Sequence, residues 1–300
     1  MSIKEFLEAT ISGKLSIKEQ KNYLESNPFG TAKEIAEAVR YLYRQMPEVP
    51  KLPGAIDVCG TGGSGLDRIN TSTISAFLLA AMGVPVAKHG NNAASGRFGS
   101  FDLLAALDVP TNLSTQELQL RFKENNLAFL YARSFHPVMR YFAPVRAELS
   151  KPTFFNILGP LLSPINAERQ IIGTSSVENA RIIIEAAKEL GKKRVLVVTG
   201  CDGLDDVTLS GPTNVFELKN GQIKQYSLEP KDFGVKPISN FTEIAGGSAD
   251  DNVRLALSIL KGQDKTRRTD LVLVNTAVAL YLADKAEDLK SAYAISKKTL

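Results

Sequence analysis

One stretch constrains this chain more than any other. A short apolar strand, Ala55-Ile56-Asp57-Val58-Cys59, runs directly into a glycine-rich loop, Gly60-Thr61-Gly62-Gly63-Ser64-Gly65. Asn70-Thr71-Ser72-Thr73 then leads to a helix over Ser75–Met82, Gly83 ends it, and Val84-Pro85-Val86-Ala87 reads as a second strand. Strand, helix and strand in that order predict a parallel, right-handed unit. The pattern continues with strands at Leu127–Tyr131, Ile171–Gly173 and Val195–Thr199, a helix from Val177 to Leu190, and a buried helix over Leu271–Ala283. The first fifty residues differ: Ile3, Phe6, Leu7 and Ile11, then Ala32, Ile35, Ala36, Val39, Tyr43 and Met46, recur at helical spacing. The expected fold is α/β: a small N-terminal all-helical domain plus a larger α/β domain with a mainly parallel sheet.

The loops of such a sheet gather ligands at the C-terminal strand edge. The glycine loop suits an anion, because backbone N–H groups can converge where no side chain intervenes. Its spacing is neither the Walker pattern nor the dinucleotide fingerprint. Asn70, Thr71, Ser72 and Thr73 offer hydroxyls and helix-end amides, although Ser72 or Thr71 could equally act as a plain helix cap. Lys88-His89-Gly90-Asn91 is expected in the loop after the second strand, with Lys88 as a point charge for phosphate and Asn91 as a donor. Another glycine-serine loop, Ser95-Gly96-Arg97-Phe98-Gly99-Ser100, precedes a helix. His136-Pro137 comes later, then Arg146, which is either a solvated helix residue or a receptor for a carboxylate. Asn156-Ile157-Leu158-Gly159-Pro160 reads as a helix-stopping turn. In Gly203-Leu204-Asp205-Asp206 two adjacent carboxylates repel unless something positive joins them. Magnesium bridging to a diphosphate would supply that charge, and a solvated acidic turn is the alternative.

Composition narrows the classes. A net charge of +4 from 36 basic and 32 acidic residues is too slight to imply nucleic acid, yet it suits a phosphorylated substrate. No run of about 18 apolar residues suggests a membrane span, and the N-terminus lacks a secretory apolar block. The 2 cysteines, Cys59 and Cys201, lie in apolar, strand-like contexts and are too few for a disulfide framework. A cytoplasmic protein is expected.

Taken together, DVCGTGGSG, NTST, KHGN, SGRFGSFDLLAAL, HPVMRYFAPVR, FNILGPLLSP, GCDGLDDVTLSGPT and GGSADDN…LKG…VNTAVALYLA form a recognisable series. The sequence resembles the anthranilate phosphoribosyltransferases over essentially its whole length. The resemblance implies transfer of a 5-phosphoribosyl group from phosphoribosyl pyrophosphate to the amine of anthranilate, in tryptophan biosynthesis. It implies domains at 1–52 (with part of 135–162 packed onto it) and at 53–134 plus 163–300, a site between them, and a homodimer joined through the helices. Phosphoribosyl pyrophosphate would be gripped by Gly60, Gly62, Gly63, Asn70, Ser72, Thr73, Lys88 and Ser100. Anthranilate would lie near Gly60, Asn91, His136, Gly159 and Pro160, with Arg146 at its carboxylate. Mg2+ would be held by Ser72, Asp205 and Asp206. No residue is assigned as a general base.

The chain departs from the family pattern. Ser64 stands where aspartate is usual, Asn92 where arginine commonly follows KHGN, Phe98 and Phe101 where serine and alanine are typical, and Asp206 where glutamate is. Asp67 is expected to compensate for Ser64. Because the chain stops at Leu300, short of the longer final helix of the family, a compact or truncated version is expected. Three other readings compete: a pyrimidine nucleoside phosphorylase, a phosphoribosyltransferase with another acceptor amine, and a non-catalytic paralogue that binds nucleic acid.

Overall fold

The computed structural model describes residues 1–92 and 98–300. The expected loop residues Ser95, Gly96 and Arg97 therefore lie outside the described residues. Three helices come first: α1 (Ile3–Ile11), α2 (Ile17–Ser26) and α3 (Ala32–Tyr43). Each opens on a capping box, Ser2 with Glu5, Ser16 with Glu19 and Thr31 with Glu34. In each box a hydroxyl accepts from the N3 amide and the glutamate accepts from the cap amide, so short helices gain defined starts.

The α/β part begins with β1 (Asp57–Gly60), α4 (Thr71–Ala81), β2 (Val86–Gly90), α5 (Ser100–Ala106), α6 (Thr115–Asn125) and β3 (Leu127–Tyr131). A helical excursion follows: α7 (Ala132–Phe135), a 3-10 segment at Pro137–Phe142, α8 (Ala143–Ala147) and α9 (Phe154–Leu161). Next come β4 (Arg169–Gly173), α10 (Val177–Glu189), β5 (Arg194–Gly200), β6 (Thr213–Lys219) and β7 (Gln222–Leu228). The last helices are α11 (Ala249–Leu260), α12 (Arg267–Leu282) and α13 (Leu289–Thr299).

One sheet has the order β1-β4-β5-β6-β7, and β2 pairs with β3 beside it. The two are joined through Ile56, whose N–H donates to Pro85 O while its carbonyl accepts from Ala87 N, both at 2.9 Å. From β3 to β5 all pairings are parallel, and β6 and β7 run antiparallel. Successive β5 side chains alternate between faces. Val195 and Val197 join a core with Phe6, Val39, Phe154 and Ile183; Leu196 and Val198 join one with Ile74, Leu79, Val274 and Val278. The first of these cores runs from α1–α3 through the excursion (Phe142, Val145, Phe155) to the sheet, so helices from both ends of residues 1–162 share one apolar interior.

Several local expectations are corrected. The β6–β7 hairpin is absent from the expected elements, although its turn residues Asn220 and Gly221, at φ 51° and 76°, are the residue types a two-residue turn with positive φ requires. Helix α4 starts at Thr71, earlier than expected, because Thr73 N and Ile74 N already donate to Asn70 O at 3.1 Å. Neither Thr71 nor Ser72 caps it: Asn70 holds the cap position and makes no side-chain cap bond. Lys88, His89 and Gly90 belong to β2 itself rather than to the following loop. Asn156–Pro160 is no helix-stopping turn but the body of α9. Burial of Phe154, Ile157, Leu158 and Leu161 holds that turn, while Gln170 Nε2 donates to Pro160 O at 2.7 Å. Cys59 is buried, whereas Cys201 lies exposed in the turn after β5.

Candidate active site

Parallel pairing places the ends of β1, β4 and β5 side by side. Gly60 is in register with Gly173, and Gly173 with Val198. Four segments leave this edge: the glycine loop after β1, the residues after β2, Thr174 after β4, and the 201–212 loop after β5. The packing between them is close. A Cβ on Gly60 would come within 2.8 Å of Asp205 Oδ2, and one on Gly173 within 1.8 Å of Asp205 O. Both glycines are therefore needed by the approach of Asp205, apart from any ligand. From sequence, Gly173 is only the end of a strand.

Asp205 and Asp206 are 2% and 7% exposed, which excludes the solvated acidic turn. Their counter-charge is Arg68, a residue absent from the sequence-based candidates. Its Nη2 donates to Asp205 Oδ1 at 2.8 Å, and its Nε stands 3.1 Å from Asp206 Oδ2. Burial works to raise the Asp205 carboxyl, but Arg68 and the Ser64 hydroxyl outweigh it and hold the carboxyl below its ordinary range. Burial lifts Asp206 to about 6; Arg68 opposes the rise and the neighbouring Asp205 adds to it. A single guanidinium thus neutralises one acid well and the other poorly.

Asp67 does not stand in for an acid at Ser64. Its carboxylate accepts from the amides of Gly246 (3.2 Å) and Gly247 (3.1 Å) and ties the loop to the turn before α11. Asn92 is likewise engaged: its amide donates to Asp102 Oδ1 and its carbonyl oxygen accepts from Tyr131 OH. Phe101 stacks on Tyr131 with centroids 4.7 Å apart. Two of the family departures, Asn92 and Phe101, therefore build one packed cluster.

Other expected site residues fall as follows. Gly62 and Gly63 are exposed on the loop, with φ of 67° and 78°. Thr73 Oγ1 is buried without a hydrogen-bond partner, and Ser72 is half-buried. Lys88 does not extend into solvent: it is 3% exposed and its Nζ donates to Val58 O at 2.9 Å. Burial lowers its pKa, and Asp206 lies near enough to oppose that. Ser100 Oγ donates to Asn91 O at 3.2 Å, closing α5 onto the segment after β2. His89 and His136 meet edge to face, centroids 5.3 Å apart, and the Nε2 atom of each is buried and unpartnered. Burial takes His136 down to about 4 and His89 well below its ordinary value, so both rings are neutral at neutral pH. Arg146 is exposed on α8, its guanidinium 5.3 Å from the centre of the Phe155 ring, with no carboxylate partner among the described residues. Gly159 is exposed, and Pro160 is buried beside it.

Unpartnered buried polar atoms thus gather along one edge: Thr73 Oγ1, His89 Nε2, Thr174 Oγ1, Thr199 Oγ1 and Asp206 Oδ2. Folded proteins rarely leave such atoms unsatisfied, which makes this edge the candidate ligand-binding site. Cavities of about 610 and 470 Å³ lie elsewhere, one beside Ala106, Val253 and Leu257, the other beside Phe77, Val109 and Leu118.

The sequence over residues 52–300, which holds the parallel sheet, the glycine loop and the acid pair, matches the glycosyl transferase family, a/b domain. An anthranilate phosphoribosyltransferase of Staphylococcus haemolyticus is 40% identical over 265 residues, covering 88% of this chain and 78% of the relative. One from Rubrobacter xylanophilus is 38% identical over 270 residues, covering 90% and 79%. The crystal structure of the enzyme from Thermus thermophilus superposes with a TM-score of 0.91 at 37% identity, covering 99% of this chain and 89% of that one. That of the Saccharomyces cerevisiae enzyme in complex with PRPP and Mg does so at 0.80 and 29% identity, covering 90% and 76%. The chain belongs to the anthranilate phosphoribosyltransferase family.

Proposed function

We propose that the chain transfers the 5-phosphoribosyl group of phosphoribosyl pyrophosphate to the amine of anthranilate, releasing pyrophosphate. The observation that carries this reading is the buried acid pair pressed against Gly60 at the head of the glycine loop. The S. cerevisiae relative bound to PRPP and Mg supports it.

In the reaction the nitrogen–C1 bond forms as the C1–oxygen bond to pyrophosphate breaks, and the amine then loses a proton. An aromatic amine is nucleophilic while neutral, so positioning and leaving-group electrostatics supply the acceleration. Loop amides at Gly60, Gly62 and Gly63, the α4 start at Asn70, Ser72 and Thr73, Lys88 and Ser100 would hold the donor. Asn91, His136, Gly159 and Pro160 would bound the acceptor, with Arg146 on its carboxylate. Neutral imidazoles at His89 and His136 can orient a polar group without adding charge.

The acid pair suits Mg2+ in chemistry: two carboxylates, one with an unpartnered oxygen, supply the hard donors this ion prefers beside phosphate oxygens. Among the described residues no group of three or more His, Cys, Asp or Glu is disposed to hold a metal, so the remaining donors would be water, the Ser72 hydroxyl and the diphosphate. Bound there, Mg2+ would neutralise charge on the departing pyrophosphate. The same reading keeps the two-domain division given above and a dimer joined through the helices. It also keeps a cytoplasmic location, in line with the absence, among the described residues, of any helix long and apolar enough to cross a membrane. Loss of anthranilate fluorescence on mixing with phosphoribosyl pyrophosphate and Mg2+ tests the activity. A constant signal at saturating substrates would refute it.

A further inference from the structure

The acid pair at the end of β5 already has a cation, and that cation belongs to the chain. Arg68 reaches Asp205 with a hydrogen bond of 2.8 Å but only faces Asp206, at 3.1 Å from Nε. The Nε–H is not aimed along that line, so Arg68 Nε and Asp206 Oδ2 are both buried without a hydrogen-bond partner. The guanidinium is nonetheless held in place. Its Nη1 donates to Ile69 O at 3.1 Å. Asp67 is bound to the Gly246 and Gly247 amides, and Gly246 lies so close that a Cβ there would come within 2.5 Å of Arg68 O. The side chains of Arg68, Asp205 and Asp206 are 19%, 1% and 10% exposed, so solvent screens this cluster weakly.

We propose that Arg68 is the resident counter-ion of Asp205 and Asp206, and that a divalent cation enters the pair only by displacing it. The proposal rests on the reading of the pair as a metal site. A guanidinium and a divalent ion need the same carboxylate oxygens. An ion arriving alone gains two carboxylates but leaves a poorly solvated arginine without its anion, which is costly. An ion arriving with a diphosphate brings the compensation, because phosphate oxygens accept a guanidinium in paired hydrogen bonds. Arg68 lies on the loop between Gly65 and Asn70, the segment assigned to the diphosphate, so the freed side chain has that anion within its own loop. Metal and diphosphate therefore bind cooperatively, and the coupling is reciprocal.

The test counts bound Mn2+ by its paramagnetic resonance signal in the wild type, Arg68→Ala and Arg68→Gln, with and without inorganic pyrophosphate. With Mn2+ alone, both variants are expected to bind at least tenfold more tightly than the wild type, about 1.4 kcal/mol. Adding pyrophosphate should narrow the gap, and Asp205→Asn in the Arg68→Ala background should remove the gained site. Equal Mn2+ affinity in the wild type and both variants overturns the counter-ion role and leaves the metal reading standing. No bound Mn2+ in any form, even with pyrophosphate, removes the metal reading and this inference with it. If neither variant folds, the wild type decides. The Arg68 Nε–H resonance of a 15N-arginine-labelled sample should move with Mg2+ plus pyrophosphate; a resonance that stays unmoved while the metal binds overturns the proposal.

Discussion

Replacing Gly173 by alanine should damage both the fold and the chemistry, and the structure says by how much. The added Cβ would lie 1.8 Å from Asp205 O and 2.5 Å from Asp205 C, whereas real Cβ contacts essentially never fall under 3.0 Å. Gly173 is not among the positive-φ residues, so the substitution adds no backbone strain of its own and the clash is the whole perturbation. To relieve it the Asp205 main chain must retreat by more than about 1 Å, well beyond the give of a packed interior. Retreat is opposed on both sides. Leu204 O accepts from Gly200 N at 2.9 Å, and Val207 exchanges two hydrogen bonds with the Asn275 side chain at 2.9 and 3.0 Å. Overpacking of this kind costs about 1–3 kcal/mol, and in a chain of this size each kcal/mol lowers Tm by roughly 2–4 °C. Because the displaced residue carries one of the two carboxylates, a shift of about 1 Å should also cost on the order of a hundredfold in kcat. Thermal unfolding and the anthranilate fluorescence assay measure the two effects. A variant with an unchanged Tm and kcat within about twofold of wild type would show that the Asp205 segment yields freely, and the close-packed account of the strand edge would fail.

Four further predictions separate structural from functional roles. Arg146→Ala should raise the anthranilate KM by about ten- to a hundredfold, the worth of a charged hydrogen bond, with kcat little changed; an unchanged KM moves the carboxylate elsewhere. Gly159→Ala meets nothing within 4 Å and sits in a helix, so Tm should hold or rise slightly while the anthranilate KM increases; a fall in Tm would contradict the open space there. His136 titrates near 6.5 when unfolded and about 4 when folded, so its contribution to stability is complete above 6.5 and is lost as pH falls toward 4. His136→Gln should therefore lose about 2 kcal/mol less than wild type between pH 7.5 and 5 in urea unfolding, and an identical pH dependence would refute the burial argument. Asp205→Asn with Asp206→Asn should abolish turnover and also lower Tm, because Arg68 loses its only ion-pair partners among the described residues; adding Arg68→Met should recover part of that Tm, and no recovery would argue against the ion pair as the cause.

What the sequence disclosed and what it withheld follow from the range of the interactions. Glycine loops, helix periodicity and alternating strands are local, so β1, α10, β5 and α12 are legible within a few residues of their ends. The Asn220-Gly221 turn is equally local, but its signal is alternation across Thr213–Leu228, which a search for parallel strand–helix–strand units does not weigh. Boundaries moved where burial overrode local preference: Pro160 remains helical among buried apolar neighbours, and Lys88 pairs inside β2 opposite Phe129 with its buried ammonium donating to Val58 O. The acid pair is the most instructive case. Its need for a positive charge is plain from two adjacent aspartates, but the partner lies 137 positions away from Asp205, beyond any spacing rule. A signal was nonetheless present, since Arg68 is the one basic residue between Gly60 and Asn70, in a loop whose glycines suit an anion. A lone arginine there faces two possible anions, the incoming diphosphate and the chain's own carboxylates. In the structure it is engaged with the carboxylates, so the proposed recognition of the diphosphate and release of the acid pair would be one exchange rather than two independent events.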